Sequence, residues 1–153
     1  IEGMNPLDSS DDPSSRIRSV AAVDVNGDGL VDILLGSLNK NSQLLLNAGD
    51  GTYAEAIDLP GAEKGVTSIV AADVNNDDAV DIIIATTKGQ NNKLLLNDGN
   101  GTFSETIDLP GGGVNTLSIA LADVNNDGVV DIIVGNYGKS NQLLINEGDG
   151  SFS

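Results

Sequence analysis

The chain has 153 residues, 39% of them apolar, with 23 acids against 7 bases and a formal charge of −16. That length suffices for one ordinary domain with a core, and the acidic field disfavours nucleic acid and anionic membranes while inviting a cation. The absence of Cys and His excludes disulfides, thiol chemistry, common zinc sites and imidazole acid–base catalysis.

Residues 1–17 show no basic region followed by an apolar run, and no stretch of the chain approaches the roughly 20 apolar residues of a membrane span. The chain is therefore expected to be soluble, without membrane insertion, and mature or leaderless. From residue 18 the apolar stretches are short, rich in β-branched residues and bounded by Gly, Asn or Asp: "RSVAAVDV", "VDILLG", "QLLLN" and "TYAEAIDL". These predict four strands, with "NAGDG" as a tight hairpin between the third and fourth. A helix over "VDILLGS" fails on length and on Ile/Val content.

The pattern then repeats. "DVNGDGLVD" from Asp24 returns as "DVNNDDAVD" from Asp73 and "DVNNDGVVD" from Asp123, at spacings of 49 and 50 residues. "SQLLLNAGDGTYAEAIDLPG" returns as "NKLLLNDGNGTFSETIDLPG" and, cut by the chain end, as "NQLLINEGDGSFS". The expected units are 18–66, 67–116 and 117–153, the last lacking its outer strand. Four antiparallel strands per unit describe the blade of a β-propeller, so the expected fold is all-β with three blades per chain.

In each unit the loop between the first two strands carries oxygen-bearing side chains at alternate positions, the arrangement with which a hard cation of 6 to 8 oxygen ligands is wrapped. The candidate calcium ligands are Asp24, Asn26, Asp28, the carbonyl of Leu30 and Asp32; Asp73, Asn75, Asp77, the carbonyl of Ala79 and Asp81; and Asp123, Asn125, Asp127, the carbonyl of Val129 and Asp131. One calcium per repeat, three per chain, would bring the formal charge from −16 to −10. Positions four and six of the loops are Gly27 and Gly29, Asn76 and Asp78, and Asn126 and Gly128, types that tolerate a left-handed backbone. Asp78 stands where Gly is expected. The twelve-residue helix–loop–helix calcium site is excluded because its closing acid would fall on Leu35, Ile84 or Val134, inside a strand. Magnesium, which keeps most of its waters, suits an all-protein cage less well. The alternative is a set of hairpin turns rich in Asx-turn formers, which would not by itself require three mutually repelling carboxylates.

"D-x-N-x-D-G-x-x-D" between two strands, followed by "N-x-G-x-G-x-F/Y", resembles the FG-GAP (VCBS-type) repeats of integrin α-subunit propellers, over residues 18 to 153. The resemblance implies a propeller in which calcium braces the first loop of each blade as a structural ion, with ligands bound elsewhere. Asp78 and the low blade count depart from the family pattern.

Propellers close with about 4 to 8 blades, so completion to six by a second copy, a homodimer, is expected. "IEGMNPLDSS" loosely imitates "FSETIDLPGG", which makes the N-terminal segment 1–17 a candidate closing strand. Antiparallel connectivity places the acidic loops and the Gly-rich turns at one end and "LNKNSQ", "TKGQNNK", "YGKSNQ", "GAEKGV" and "GGGVNT" at the other, with Lys40, Lys88, Lys93 and Lys139. That variable end is the expected face for a protein or glycan ligand. Tyr53, Phe103 and Phe152 recur at one repeat position and are expected to pack between blades, whereas Tyr137 stands outside the register in a candidate ligand loop. Asn100 begins an "NGT" glycosylation sequon in a tight turn. The carboxylates are committed to three similar sites, so no enzymatic role is expected. The expected function is an extracellular or cell-surface adhesion or protein-interaction module, or alternatively a lectin.

Overall fold

Runs such as Asp81–Thr86 carry β-branched side chains that pack well on a pleated surface but lose rotamer freedom in a helix. The chain accordingly builds strands. A computed structural model describes residues 16–87 and 89–153, and its regular structure consists of β-strands.

The first sheet comprises β1 (Ile17–Val23), β2 (Asp32–Ser37), β3 (Gln43–Leu45) and β4 (Ile57–Asp58). The second comprises β5 (Val66–Ala72), β6 (Asp81–Thr86), β7 (Lys93–Asn97) and β8 (Phe103–Asp108), and the third β9 (Asn115–Ala122), β10 (Asp131–Tyr137) and β11 (Gln142–Leu144). In each sheet consecutive strands pair antiparallel in chain order. Registers repeat from sheet to sheet: Val23↔Asp32, Ala72↔Asp81 and Ala122↔Asp131 open each first hairpin at the acidic loop.

Two apolar layers hold the three sheets together. Leu34 and Leu44 of the first sheet meet Val66, Ile69, Ile82, Ile84 and Leu95 of the second. The second sheet's opposite face offers Ile83, Ala85 and Leu94 to Ile119, Ile132, Val134 and Leu144 of the third. Successive residues of a strand point to opposite faces, so β6, with a neighbour on each side, is buried along its whole length. Phe103 packs on the first layer and Phe152 on the second, as expected of inter-blade aromatics. Tyr53, in the first sheet, is half-buried and joins an isolated bridge with Asn47.

The fourth strand expected over "TYAEAIDL" is regular only at Ile57–Asp58, whereas its counterpart "TFSETIDL" gives the six-residue β8. Ala54 and Ala56 are poorer strand formers than Ser104 and Thr106, and Ser104 is further tied to Asp98 at 2.7 Å. In the third sheet Phe152 forms a bridge with Asn146. The candidate closing strand 1–17 lies outside the described residues except for Arg16 and Ile17, and Ile17 belongs to β1.

Candidate functional site

The acidic loops are built alike. Asp24 accepts the N–H groups of Gly27 and Gly29, both at 2.8 Å, and Asp28 accepts that of Leu30 at 2.8 Å and the amide of Asn26 at 2.9 Å. Asp73 likewise accepts from Asp77 and Asp78, and Asp123 from Asp127 and Gly128. Asp77 and Asp127 accept the N–H groups of Ala79 and Val129, and the amides of Asn75 and Asn125. Turning the chain back onto one carboxylate requires a left-handed backbone at positions four and six. All six residues there have it: φ is 72° and 85° at Gly27 and Gly29, 59° and 67° at Asn76 and Asp78, and 62° and 90° at Asn126 and Gly128.

The closing acid of each loop is placed differently. Asp32, Asp81 and Asp131 are fully buried. One oxygen accepts the N–H of Val25, Val74 or Val124 at the loop's start, and the other that of Asn47, Asn97 or Asn146 at the end of the third strand. Burial above all, with the charges of Asp77 and Asp73 adding to it, pushes the Asp81 carboxyl above the usual range, against the pull of its two backbone donors. The structure thus joins the second and third side chains of each ligand set, holds the first in the same loop through backbone N–H groups, and has the fourth, at Asp32, Asp81 or Asp131, tie the loop to the sheet. In kind, the donors suit a hard cation, being carboxylates, an amide oxygen and a carbonyl. Among the described residues, however, no three or more acids converge closely enough to hold a metal ion.

The Asn partner of that closing acid emerges only from the structure. Asn97 donates to the carbonyl of Val25 at 2.7 Å and to that of Val80 at 2.9 Å, joining the second sheet to the first. Asn146 does the same to Val74 at 2.8 Å and Val130 at 3.0 Å, joining the third to the second. The available signal was an Asn in every repeat ("LNAG", "LNDG", "INEG"), 15 or 16 residues after the closing Asp; read only as a turn former, it concealed an inter-sheet clamp.

At the opposite end, Gly65 donates to Leu38 and Gly113 to Gln90, which draws the variable loops of adjacent sheets together. Between the second and third sheets they leave an open cleft of about 310 Å³ lined by Gly89, Gly113, Val114, Asn115, Tyr137, Gly138 and Lys139. Tyr137 is 68% exposed there; Thr87 and Leu38 occupy its repeat position in the other units. Of the expected lysine cluster, Lys139 lines the cleft and Lys40 is exposed. Lys93 instead begins β7 and pairs with Asp108 at 2.7 Å, and Lys88 lies outside the described residues. Lys93 first, then the amide of Asn91, holds the Asp108 carboxyl below the usual range. The sequon residue Asn100 is exposed, and its side-chain oxygen accepts the N–H of Thr102.

Comparison with known proteins agrees with this architecture. An Agrocybe aegerita lectin, described by its specific recognition of non-reducing terminal N-acetylglucosamine, superposes with a TM-score of 0.59 at 25% sequence identity, over 86% of this chain and 36% of that one. The chain thus spans about a third of that lectin's length. No curated protein sequence matches it. The family described as FG-GAP-like repeat matches residues 24–84 and again 73–134, in step with the acidic loops and the sheets that follow them, and the chain belongs to that family.

Proposed function

We propose that the chain is a carbohydrate-binding module, that its glycan site is the cleft between the second and third sheets, and that calcium in the acidic loops serves the scaffold. The carrying observation is the meeting of an exposed aromatic, an amide and a cation in that one cleft, at Tyr137, Asn115 and Lys139. An aromatic face stacks on the apolar face of a sugar ring while polar groups bond its hydroxyls. The likeness to a lectin supports the same ligand class and favours a terminal N-acetylglucosamine as the first probe. A glycan ligand thereby takes precedence over the adhesion or protein-interaction role expected from the sequence.

The test is calorimetric titration with an oligosaccharide ending in non-reducing N-acetylglucosamine. The wild-type chain should bind it, and Tyr137→Ala should weaken binding about tenfold, the scale of one lost aromatic contact. Undetectable binding at millimolar sugar, or a Tyr137→Ala variant that binds as well as wild type, would overturn the assignment.

For the scaffold, Asp24, Asn26, Asp28 and the Leu30 carbonyl, with their repeat counterparts, would hold one calcium per loop, and Asp32, Asp81 and Asp131 would keep the loops docked to their sheets. The ion would supply charge neutralisation where carboxylates are densest. Sites that fill at roughly 10⁻⁴ to 10⁻³ M, as those of extracellular modules do, would suit a place outside the cell or at its surface.

A further inference from the structure

We propose that the outer face of the third sheet is built to receive the outer face of the first sheet of a second copy, so that two chains close head to tail into one six-bladed ring. The two existing inter-sheet layers define what each face needs, and among the described residues one half is left uncovered at each end. On the face turned to the next sheet, Leu44 and Leu94 are fully buried, but their counterpart Leu143 is 49% exposed. Ile133 and Val124 are exposed at the positions of Leu34 and Ile83, and of Val25 and Val74, all four of which are buried. On the face turned to the preceding sheet, Ile69 and Ile119 are 2% and 5% exposed, whereas Val20 is 60% exposed. Tyr53 occupies the position from which Phe103 and Phe152 reach onto the preceding sheet.

Polar groups repeat the pattern. Asn97 and Asn146 each donate across the sheet boundary, to the carbonyls of Val25 and Val74. Asn47, which donates to Val31 within its own sheet at 3.0 Å, is the equivalent donor, and the carbonyl of Val124 the equivalent acceptor. Across the same boundaries the N–H of Ile69 reaches Ser19 Oγ at 3.0 Å and that of Ile119 reaches Ser68 Oγ at 3.4 Å. Their counterparts are the N–H of Val20 and the hydroxyl of Ser118. The first sheet thus offers the donors and apolar knobs for which the third sheet holds the acceptors and sockets.

Two copies of a three-sheet unit make six sheets, a number within the range of about 4 to 8 blades in closed propellers. Such a contact joins unlike faces, yet it closes after two copies because each chain supplies half a turn. The proposal stands independently of what the cleft binds.

Light scattering on the purified chain, with calcium at about 5 mM so that sites working at roughly 10⁻⁴ to 10⁻³ M are filled, should give twice 15.6 kDa. Val20→Glu and Leu143→Arg should each yield a monomer with an unchanged β-sheet circular dichroism spectrum. Mixing those two monomers should restore a dimer, since one interface then has both faces native and the other pairs Glu with Arg. Asn47→Ala, a milder change, should raise the dimer dissociation constant roughly tenfold through two lost hydrogen bonds per ring. A wild-type monomer, an open series of larger assemblies, or a mixture that stays monomeric would overturn the proposal.

Discussion

At the residue scale, the same side-chain types perform two jobs according to burial. Asp24 and Asp73, half-buried, and Asp123, exposed, gather N–H groups around one carboxylate, whereas the fully buried closing acids fasten loop to sheet. The left-handed position six distinguishes the copies. Asp78 adopts φ 67° where Gly29 and Gly128 adopt it freely, and a side chain there costs energy that Gly does not. Asp78→Gly should therefore stabilise the fold by about 0.5 to 1 kcal/mol, measured as a higher urea midpoint at unchanged slope. Asn97→Ala should act oppositely and more strongly, losing roughly 2 to 3 kcal/mol because the buried carbonyl of Val25 and its neighbours lose their partner. Asp108 carries a pH dependence of known sign. Its carboxyl is held below the usual range by Lys93, so its contribution is present above about pH 4 and fades as pH falls through the lowered folded value. Denaturant titrations across that window should show a weaker acid loss in Lys93→Met than in wild type.

At the element scale, the loops and turns at one end carry the acidic residues and those at the other form the cleft. If calcium braces the first end, chelation should lower the unfolding midpoint, and Asp77→Ala should reduce the bound calcium from three per chain to two, counted by equilibrium dialysis. Much of this layout was legible in the sequence, because the period-two apolar runs and the Gly–Asn punctuation act locally: they place the hairpins, and Asp, Asn and Gly at loop positions four and six announce the left-handed turns. What was hidden depends on neighbours distant in the chain. Spacing groups Asp32 with the candidate ligands, and nothing in "DVNGDGLVD" reveals that its oxygens also meet Val25 and, 15 residues later, Asn47. Sequence position groups Lys93 with the loop cations, although a strand partner 15 residues away claims it. The brevity of β4 turns on the modest propensity difference between Ala54–Ala56 and Ser104–Thr106, which a strong repeat match obscures.

At the scale of the whole molecule, three sheets of one repeated plan give, among the described residues, one interface repeated and one interface left half-built at each end, while Tyr137 places its cleft between the second and third sheets. A ring of two chains would carry that cleft twice at the same end, so a branched glycan should bind more tightly than its single arms. The division between a structural end and a recognition end is tested most directly by nuclear magnetic resonance on the isotope-labelled protein in calcium, titrated with an oligosaccharide ending in N-acetylglucosamine. The amides of Gly89, Gly113, Asn115 and Gly138 should shift together while those of residues 24–32, 73–81 and 123–131 stay in place. Shifts confined to the acidic loops, or none at millimolar sugar, would contradict the account.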